Sequence, residues 1–242
     1  MAVLPLVGRW RVDTTCLVIG TMAPDFEYFA RAKQVSVISH SWLGLIAWNL
    51  PATLILAAVF HVVVKWPLLL VTPRPIARRA ATFALRPWGA WTLGFAASCI
   101  VSALIGALTH LLWDGVTHSD GLIAPHVPAL RRVLALPWGD MAMHRVIQHA
   151  STVIGSLGCL AFVARALLRA EPIELPARPR VWPRLVAVAC ITTGVGLAVL
   201  TISGRRNDDV GGVVVVLLSG ALAGTLVASG LLLQTARARM RG

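Results

Sequence analysis

Residues 106–121 read Gly-Ala-Leu-Thr-His-Leu-Leu-Trp-Asp-Gly-Val-Thr-His-Ser-Asp-Gly and close an apolar block that covers residues 90–113. The block exceeds the roughly 20 apolar residues that a helix needs to cross a bilayer. At its end, His110 and Asp114 are four residues apart, a turn of only about 40° on an α-helix. Their side chains therefore share one helical face and can hold one metal ion or exchange one proton. A helix end that is simply solvated has the same pattern. Residues elsewhere in the chain are needed to distinguish a functional pair from a solvated helix end.

Hydrophobic residues make up 57% of the 242-residue chain and charged residues only 13%, with a mean hydropathy of +0.76. A soluble domain carries about 25% charged residues. We predict an all-α fold, a single integral membrane helix bundle with five transmembrane helices. The predicted spans are residues 42–64, 90–113, 146–168, 182–203 and 210–234. The apolar residues 14–22 are too few to span a bilayer and predict a short, half-inserted N-terminal segment.

Basic residues are distributed unevenly between the two sets of loops that five spans define. The loops 65–90 and 165–184, together with residues 235–242, contain thirteen Lys and Arg residues but only two Glu residues. The other set contains nine basic and eight acidic residues. By the positive-inside rule the first set is cytoplasmic, and the second, including the long loop 115–143, is external. The net charge of +12 therefore reflects topology, and nucleic acid is not an expected partner.

Potential metal ligands concentrate on the predicted external side, which contains six of the seven His and eight of the ten acidic residues. Ionisable side chains at membrane depth are costly and by default mark a functional site. Four separate segments bring such residues to the external ends of the spans. The candidate ligands are Asp25, His40, His110, Asp114, His144 and His149. A set that mixes imidazole and carboxylate groups favours a divalent ion such as zinc or manganese.

The same region contains residues that suit catalysis and substrate binding. Asp25 and Asp114 are the predicted catalytic carboxylates, and Glu27 and His118 are predicted to assist them in proton transfer. Arg145 is predicted to pair with an anionic oxygen of the substrate. A divalent ion would add Lewis-acid chemistry toward a phosphoryl or carbonyl oxygen. At the rim of the bilayer, such a site faces membrane lipid and lipid-linked or periplasmic substrates.

The four cysteines all lie within apolar stretches, and none has the CxxC spacing that is typical of a thiolate site. We interpret them as small packing residues. They are Cys16, Cys99, Cys159 and Cys190.

Three motifs carry a resemblance to a known family. They are residues 19–29 (IGTMAPDFEYF), residues 39–41 (SHS) and residues 106–114 (GALTHLLWD). In this order they resemble a bacterial membrane family known as domain of unknown function 4184, over nearly the whole chain. That family is in turn similar to inner-membrane metal-dependent hydrolases. The resemblance implies a location in the bacterial inner membrane. The metal ligands that it implies are Asp25, His40, His110 and Asp114.

The leading hypothesis is a metal-dependent hydrolase that acts at the external face of the bacterial inner membrane on a phosphoester or lipid-linked substrate. One alternative keeps the site without a metal and uses Asp25, Glu27 and Asp114 as acid and base groups in a prenyl-lipid cyclase or isomerase. Another alternative is a membrane transport or assembly protein without enzymatic activity. Against transport, the last two spans contain no His and no acidic residue and no matching pair of broken helices.

Overall fold

The computed structural model describes residue 3, residue 7 and residues 12–89, 92–137, 139–175, 182–203 and 210–241, most of which are helical. The helices are α1 (Thr14–Gly20), α2 (Phe26–Arg31), α3 (Trp42–Val71), α4 (Arg74–Ala84), α5 (Leu93–Thr117), α6 (Pro128–Arg131), α7 (Met143–Arg169), α8 (Trp182–Ser203) and α9 (Val210–Arg241). A 3-10 turn at Ala124–His126 and an antiparallel hairpin of β1 (Val133–Leu136) and β2 (Gly139–Ala142) lie between α5 and α7. The predicted all-α fold class is confirmed.

Four helices are long and apolar enough to cross a membrane: α3, α5, α7 and the Gly212–Gln234 stretch of α9. They coincide with four of the five predicted spans. The fifth predicted span, 182–203, coincides with α8, but the apolar stretch of that helix, Pro183–Val199, is a shorter one, so a membrane crossing there stays a prediction. The predicted half-inserted segment corresponds to α1, a helix of seven residues.

Helix α3 runs beyond its predicted end and contains two π-helical turns, at Leu45–Asn49 and Phe60–Val64. Pro51, which has no N–H group to donate, follows the first of these turns. The wider hydrogen-bond ring of a π-turn accommodates this missing donor without ending the helix. The hydrophobic block therefore continues as one helix from Trp42 to Val71.

The chain falls into two compact units, which we describe separately. The first comprises Met1–Pro24, His40–Thr53 and Thr92–Ala166, and the second comprises Asp25–Ser39, Leu54–Trp91 and Leu167–Gly242.

In the first unit, α1 packs directly against α5 through two glycines. A Cβ atom on Gly106 would collide with the carbonyl oxygen of Leu17, and one on Gly20 would lie 2.6 Å from the carbonyl oxygen of Ala103. The start of α1 is capped by Asp13, whose carboxylate accepts from the N–H of residue 16 at 2.8 Å. The close approach of two backbones leaves no room for larger residues and fixes α1 along α5.

In the second unit, arginines of the predicted cytoplasmic loops bind the segment that follows α7. The Arg79 guanidinium donates to the carbonyl oxygens of Leu168 at 2.9 Å and Ala170 at 2.8 Å. Arg78 forms an ion pair with Glu174. Part of the basic charge that the sequence assigns to topology thus also holds the loop after α7. Helices α8 and α9 meet through three glycines: Gly194, Gly220 and Gly224.

Candidate metal centre

Helix α5 carries His110 and Asp114, the pair predicted from their four-residue spacing. The helix continues through Thr117, four residues beyond the predicted end of the span, so His110 and Asp114 lie on the same helical face. The Nε2 atom of His110 is 3.0 Å from Oδ2 of Asp114. The pair is therefore part of the regular helix and is not the frayed end of one.

The orientation of the His110 ring is fixed by α1. Its Nδ1 atom lies 2.7 Å from the carbonyl oxygen of Thr21, the residue that follows α1. A carbonyl oxygen can only accept, so Nδ1 carries a proton and donates it. The other nitrogen, Nε2, is directed at Asp114. A backbone carbonyl that holds one ring nitrogen while the other faces a ligand site is the usual arrangement of metal-binding histidines.

A second imidazole reaches the same carboxylate oxygen. His40, two residues before α3, places its Nε2 atom 3.4 Å from Oδ2 of Asp114. The rings of His40 and His110 are 5.7 Å apart between centroids, and one donor nitrogen of each lies within 4.8 Å of the other. Ser41, the next residue, caps α3 by accepting from the N–H of Gly44 at 2.9 Å, which fixes the backbone beside His40.

These three side chains suit a divalent ion by donor type, and two of the three spacings among them are close to those of a metal site. In a tetrahedral site with bonds of about 2.0–2.2 Å, two ligand atoms are about 3.3–3.6 Å apart. The distances of 3.0 Å and 3.4 Å from Oδ2 of Asp114 to the two imidazoles are close to that spacing. The side chains of His40, His110 and Asp114 are 15–25% exposed, so an ion can reach them. Two imidazoles and a carboxylate are a set that zinc and manganese accept.

His118 contacts the other oxygen of Asp114. Its Nδ1 atom is 3.7 Å from Oδ1 of Asp114 and 3.2 Å from the hydroxyl of Thr117. Gln148 on α7 places its amide nitrogen 3.1 Å from Nε2 of His118. Because an amide N–H only donates, Nε2 of His118 accepts and Nδ1 carries the proton. The Nδ1 proton of His118 is thus directed to the Thr117 hydroxyl, and its 3.7 Å contact is with Oδ1 of Asp114, whereas the two other imidazoles contact Oδ2.

A second group of potential ligands lies where α1 begins. Donor atoms of Asp13, Cys16 and Cys99 lie within 4.8 Å of one another, and both thiols are buried. The Asp13 carboxylate already accepts from the N–H of residue 16, as an N-cap does. Cys16 and Cys99 are 83 positions apart in sequence, so spacing rules could not pair them. Their burial makes this group less accessible to an ion than the imidazole and carboxylate group around Asp114.

The family described as "Domain of unknown function (DUF4184)" matches residues 1–230. The chain belongs to the DUF4184 family. The resemblance proposed from the three motifs is thereby confirmed. Comparison with curated proteins and with solved structures found no match, so the relation of DUF4184 to metal-dependent hydrolases stays a prediction.

Glu27 of this DUF4184 chain lies in the second unit and organises a loop. Its side chain is fully buried. The carboxylate accepts from the backbone N–H groups of Val37, Ile38 and Ser39 at 2.9–3.2 Å and from the Arg31 guanidinium at 2.9 Å. Burial by itself raises the pKa of Glu27, but the hydrogen bonds from residues 37–39 outweigh it and lower the pKa to about 2. These contacts indicate that the ionised Glu27 carboxylate has a structural role. Its predicted role in proton transfer stays a prediction.

The remaining predicted site residues are Asp25, His144, Arg145 and His149. Asp25 opens the second unit, where it precedes α2 without capping that helix through its side chain. His144 is buried at the start of α7, where its Nδ1 atom is 3.2 Å from the carbonyl oxygen of Thr117. Arg145 and His149 are exposed on the same helix. His144 and His149 are five residues apart, about 140° around the helix, so they do not share a face.

Sequence reasoning missed two groups that shape the site. The Thr21 carbonyl oxygen has no side-chain signature, so only the packing of α1 on α5 reveals it. Gln148 was visible one residue before His149, but its role depends on the approach of α7 to His118. Both act on imidazoles that the sequence had identified.

Proposed function

We propose that this membrane-type DUF4184 chain is a metal-dependent hydrolase that acts on a phosphoester or lipid-linked substrate. The observation that carries the proposal is the convergence of Nε2 of His40 and Nε2 of His110 on Oδ2 of Asp114, at 3.4 Å and 3.0 Å. The family match supports common ancestry with other DUF4184 chains and leaves the reaction open. The donor set is what points to chemistry.

Each residue of the cluster has a distinct task in this proposal. Asp114 and the two imidazoles bind the ion, and the Thr21 carbonyl oxygen keeps Nε2 of His110 available by accepting the Nδ1 proton. His118 contacts Oδ1 of Asp114 at 3.7 Å and, being 44% exposed, is the group that would pass a proton between this carboxylate and solvent. When bound, zinc or manganese would supply Lewis-acid chemistry toward a phosphoryl or carbonyl oxygen.

The proposed location is the external face of the bacterial inner membrane. It is supported by the basic loops on one side of the spans and by the position of Asp114 one turn before the end of α5. Asp25, a further ligand that the family motif at residues 19–29 implies, stays a prediction. Substrates at this face would be membrane lipids or lipid-linked molecules.

Turnover of a phosphoester should depend on Asp114. We expect Asp114→Asn to lower the rate of hydrolysis by at least about a hundredfold. The substitution removes the negative charge that holds the metal ion, and the catalytic effect of such an ion amounts to several kcal/mol. The measurement is phosphate release from vesicles that contain phosphatidic acid or a prenyl phosphate, with zinc or manganese added to the purified protein. Asp120→Asn, in the exposed turn after α5, is the matched control and should keep wild-type turnover.

The same assay separates the alternatives. Turnover that survives a chelator but is lost in Asp114→Asn would contradict the metal and favour an acid–base enzyme that uses the same carboxylate. Equal turnover of wild type and Asp114→Asn would contradict both enzyme interpretations.

A further inference from the structure

A cavity of about 450 Å³ lies in the first unit, beside the external end of α5 by the predicted topology. Its walls are the side chains of Ser119, Ala124, Pro125, Arg131 and His144. Small-molecule sites typically have volumes of about 300–1,000 Å³, so the cavity has the size of a ligand site. The wall residues supply one guanidinium, one imidazole and one hydroxyl, and none of them is acidic.

The cavity is tied to the metal centre by the loop that follows α5. Gly121 packs so closely on the end of the helix that a Cβ atom there would lie 2.6 Å from the carbonyl oxygen of Asp114. Two residues later, the N–H of Ile123 donates to the carbonyl oxygen of Gly115 at 2.9 Å. These contacts turn the chain back over the helix end and bring Ala124 into the cavity wall.

His144 connects the cavity to α5 from the opposite side. Its Nδ1 atom donates to the carbonyl oxygen of Thr117, one helical turn beyond Asp114, so Nε2 is the nitrogen left for a ligand. The side chain is 7% exposed, which fixes the ring within the wall. His144 is also the second residue of the 27-residue helix α7, where the helix dipole favours an anion.

We propose that this cavity binds the phosphate-bearing headgroup of the substrate, with hydroxyl groups beside the phosphate. This inference rests on the proposed hydrolase function and names the substrate class for the same site. The Arg131 guanidinium pairs with phosphate oxygens, for which its planar fork of donors is suited. The Ser119 hydroxyl donates to the same anion, and Nε2 of His144 accepts from a neighbouring hydroxyl. A glycerol phosphate group contains both features.

The test measures binding of glycerol 1-phosphate to the purified full-length protein by equilibrium dialysis in the presence of a chelator. We expect Arg131→Gln to raise the dissociation constant about tenfold or more, because a charge-assisted pair is lost. Arg132→Gln is the matched control, because this neighbouring arginine is exposed as Arg131 is but is not among the residues that line the cavity. It should bind within about twofold of wild type.

Two further arms identify the source of the phosphate and separate this proposal from the hydrolase function. If phosphatidylglycerol vesicles displace glycerol 1-phosphate, the ligand is a lipid headgroup. If glycerol 1-phosphate binds but the vesicles do not displace it, the ligand is a soluble ester. Both results support the cavity site. Asp114→Asn should bind glycerol 1-phosphate like wild type even if it has no turnover. Equal affinity of wild type and Arg131→Gln, or no binding by wild type, would overturn the inference.

Discussion

Gly106→Val is expected to release α1 from α5 and to weaken metal binding about 10–100-fold. A Cβ atom at this position collides with the backbone of Leu17 and lies 2.8 Å from the backbone nitrogen of Thr21. Backbone cannot move aside as a flexible side chain does, so α1 has to shift. The shift separates the Thr21 carbonyl oxygen from His110, and loss of such an outer partner typically costs that factor in metal affinity. Zinc competition with a chromophoric chelator measures the effect.

Gly196→Val is the matched control for this substitution. A Cβ atom on Gly196 meets nothing within 4 Å, and Val is well tolerated on an apolar helix. Gly196→Val should keep wild-type zinc affinity and thermal stability in detergent. Wild-type zinc affinity in Gly106→Val would show that the contact between α1 and α5 does not support the site.

Glu27→Gln is expected to destabilise the loop at residues 37–39 by about 2–4 kcal/mol. The neutral amide offers one acceptor oxygen and directs its own N–H groups at backbone donors, and a buried donor without a partner costs about 1–3 kcal/mol. Because hydrogen bonds hold the folded pKa of Glu27 at about 2, below the unfolded value of about 4.3, this carboxylate stabilises the fold fully above pH 4.3. That contribution declines as the pH falls toward 2.

Thermal unfolding in detergent at several pH values measures this effect. The difference between wild type and Glu27→Gln should be largest near neutral pH and should shrink below about pH 4. Glu171→Gln is the control, since that side chain is exposed and its backbone carbonyl still accepts from the Thr82 hydroxyl. A difference between wild type and Glu27→Gln that does not change with pH would refute the role of the ionised carboxylate.

The membrane helices could be predicted because hydrophobic blocks need no partner to be recognised. Four of the five blocks coincide with helices that are long and apolar enough to cross a membrane. The predicted positions of the helix ends were less accurate, because a helix can continue through polar residues when packing supports them. Helix α5 includes Asp114 and ends at Thr117, and the charged Asp114 side chain is accommodated there by contacts with His110, His40 and His118.

The ligand types at the site could be predicted, but their supporting contacts could not. His110 and Asp114 were readable from the four-residue spacing, and His40 from its position just before a span. The Thr21 carbonyl oxygen and the fold of the loop over Asp114 depend on backbone packing at Gly106 and Gly121, which leaves no local pattern. For the same reason the cavity beside His144 required coordinates.

Glu27 illustrates a different limit. Next to the Pro-Asp turn, an acidic residue is equally compatible with chemistry and with loop capping. The three backbone donors that bind it come from residues 37–39, ten to twelve positions away. No short motif indicates that residues 37–39 fold back onto Glu27, so the sequence alone could not separate the two roles.

The binding of a divalent metal ion by His40, His110 and Asp114 underlies the proposed function. Its most direct test is elemental analysis of the purified protein after loading with zinc or manganese and removal of excess ion. We predict one ion per chain in the wild type and in His118→Gln, because His118 contacts Oδ1 of Asp114 at 3.7 Å, whereas His40 and His110 contact Oδ2. We predict loss of that ion in His110→Ala and in Asp114→Ala. Equal metal content in the wild type and in both of these variants would show that these side chains do not bind a metal ion.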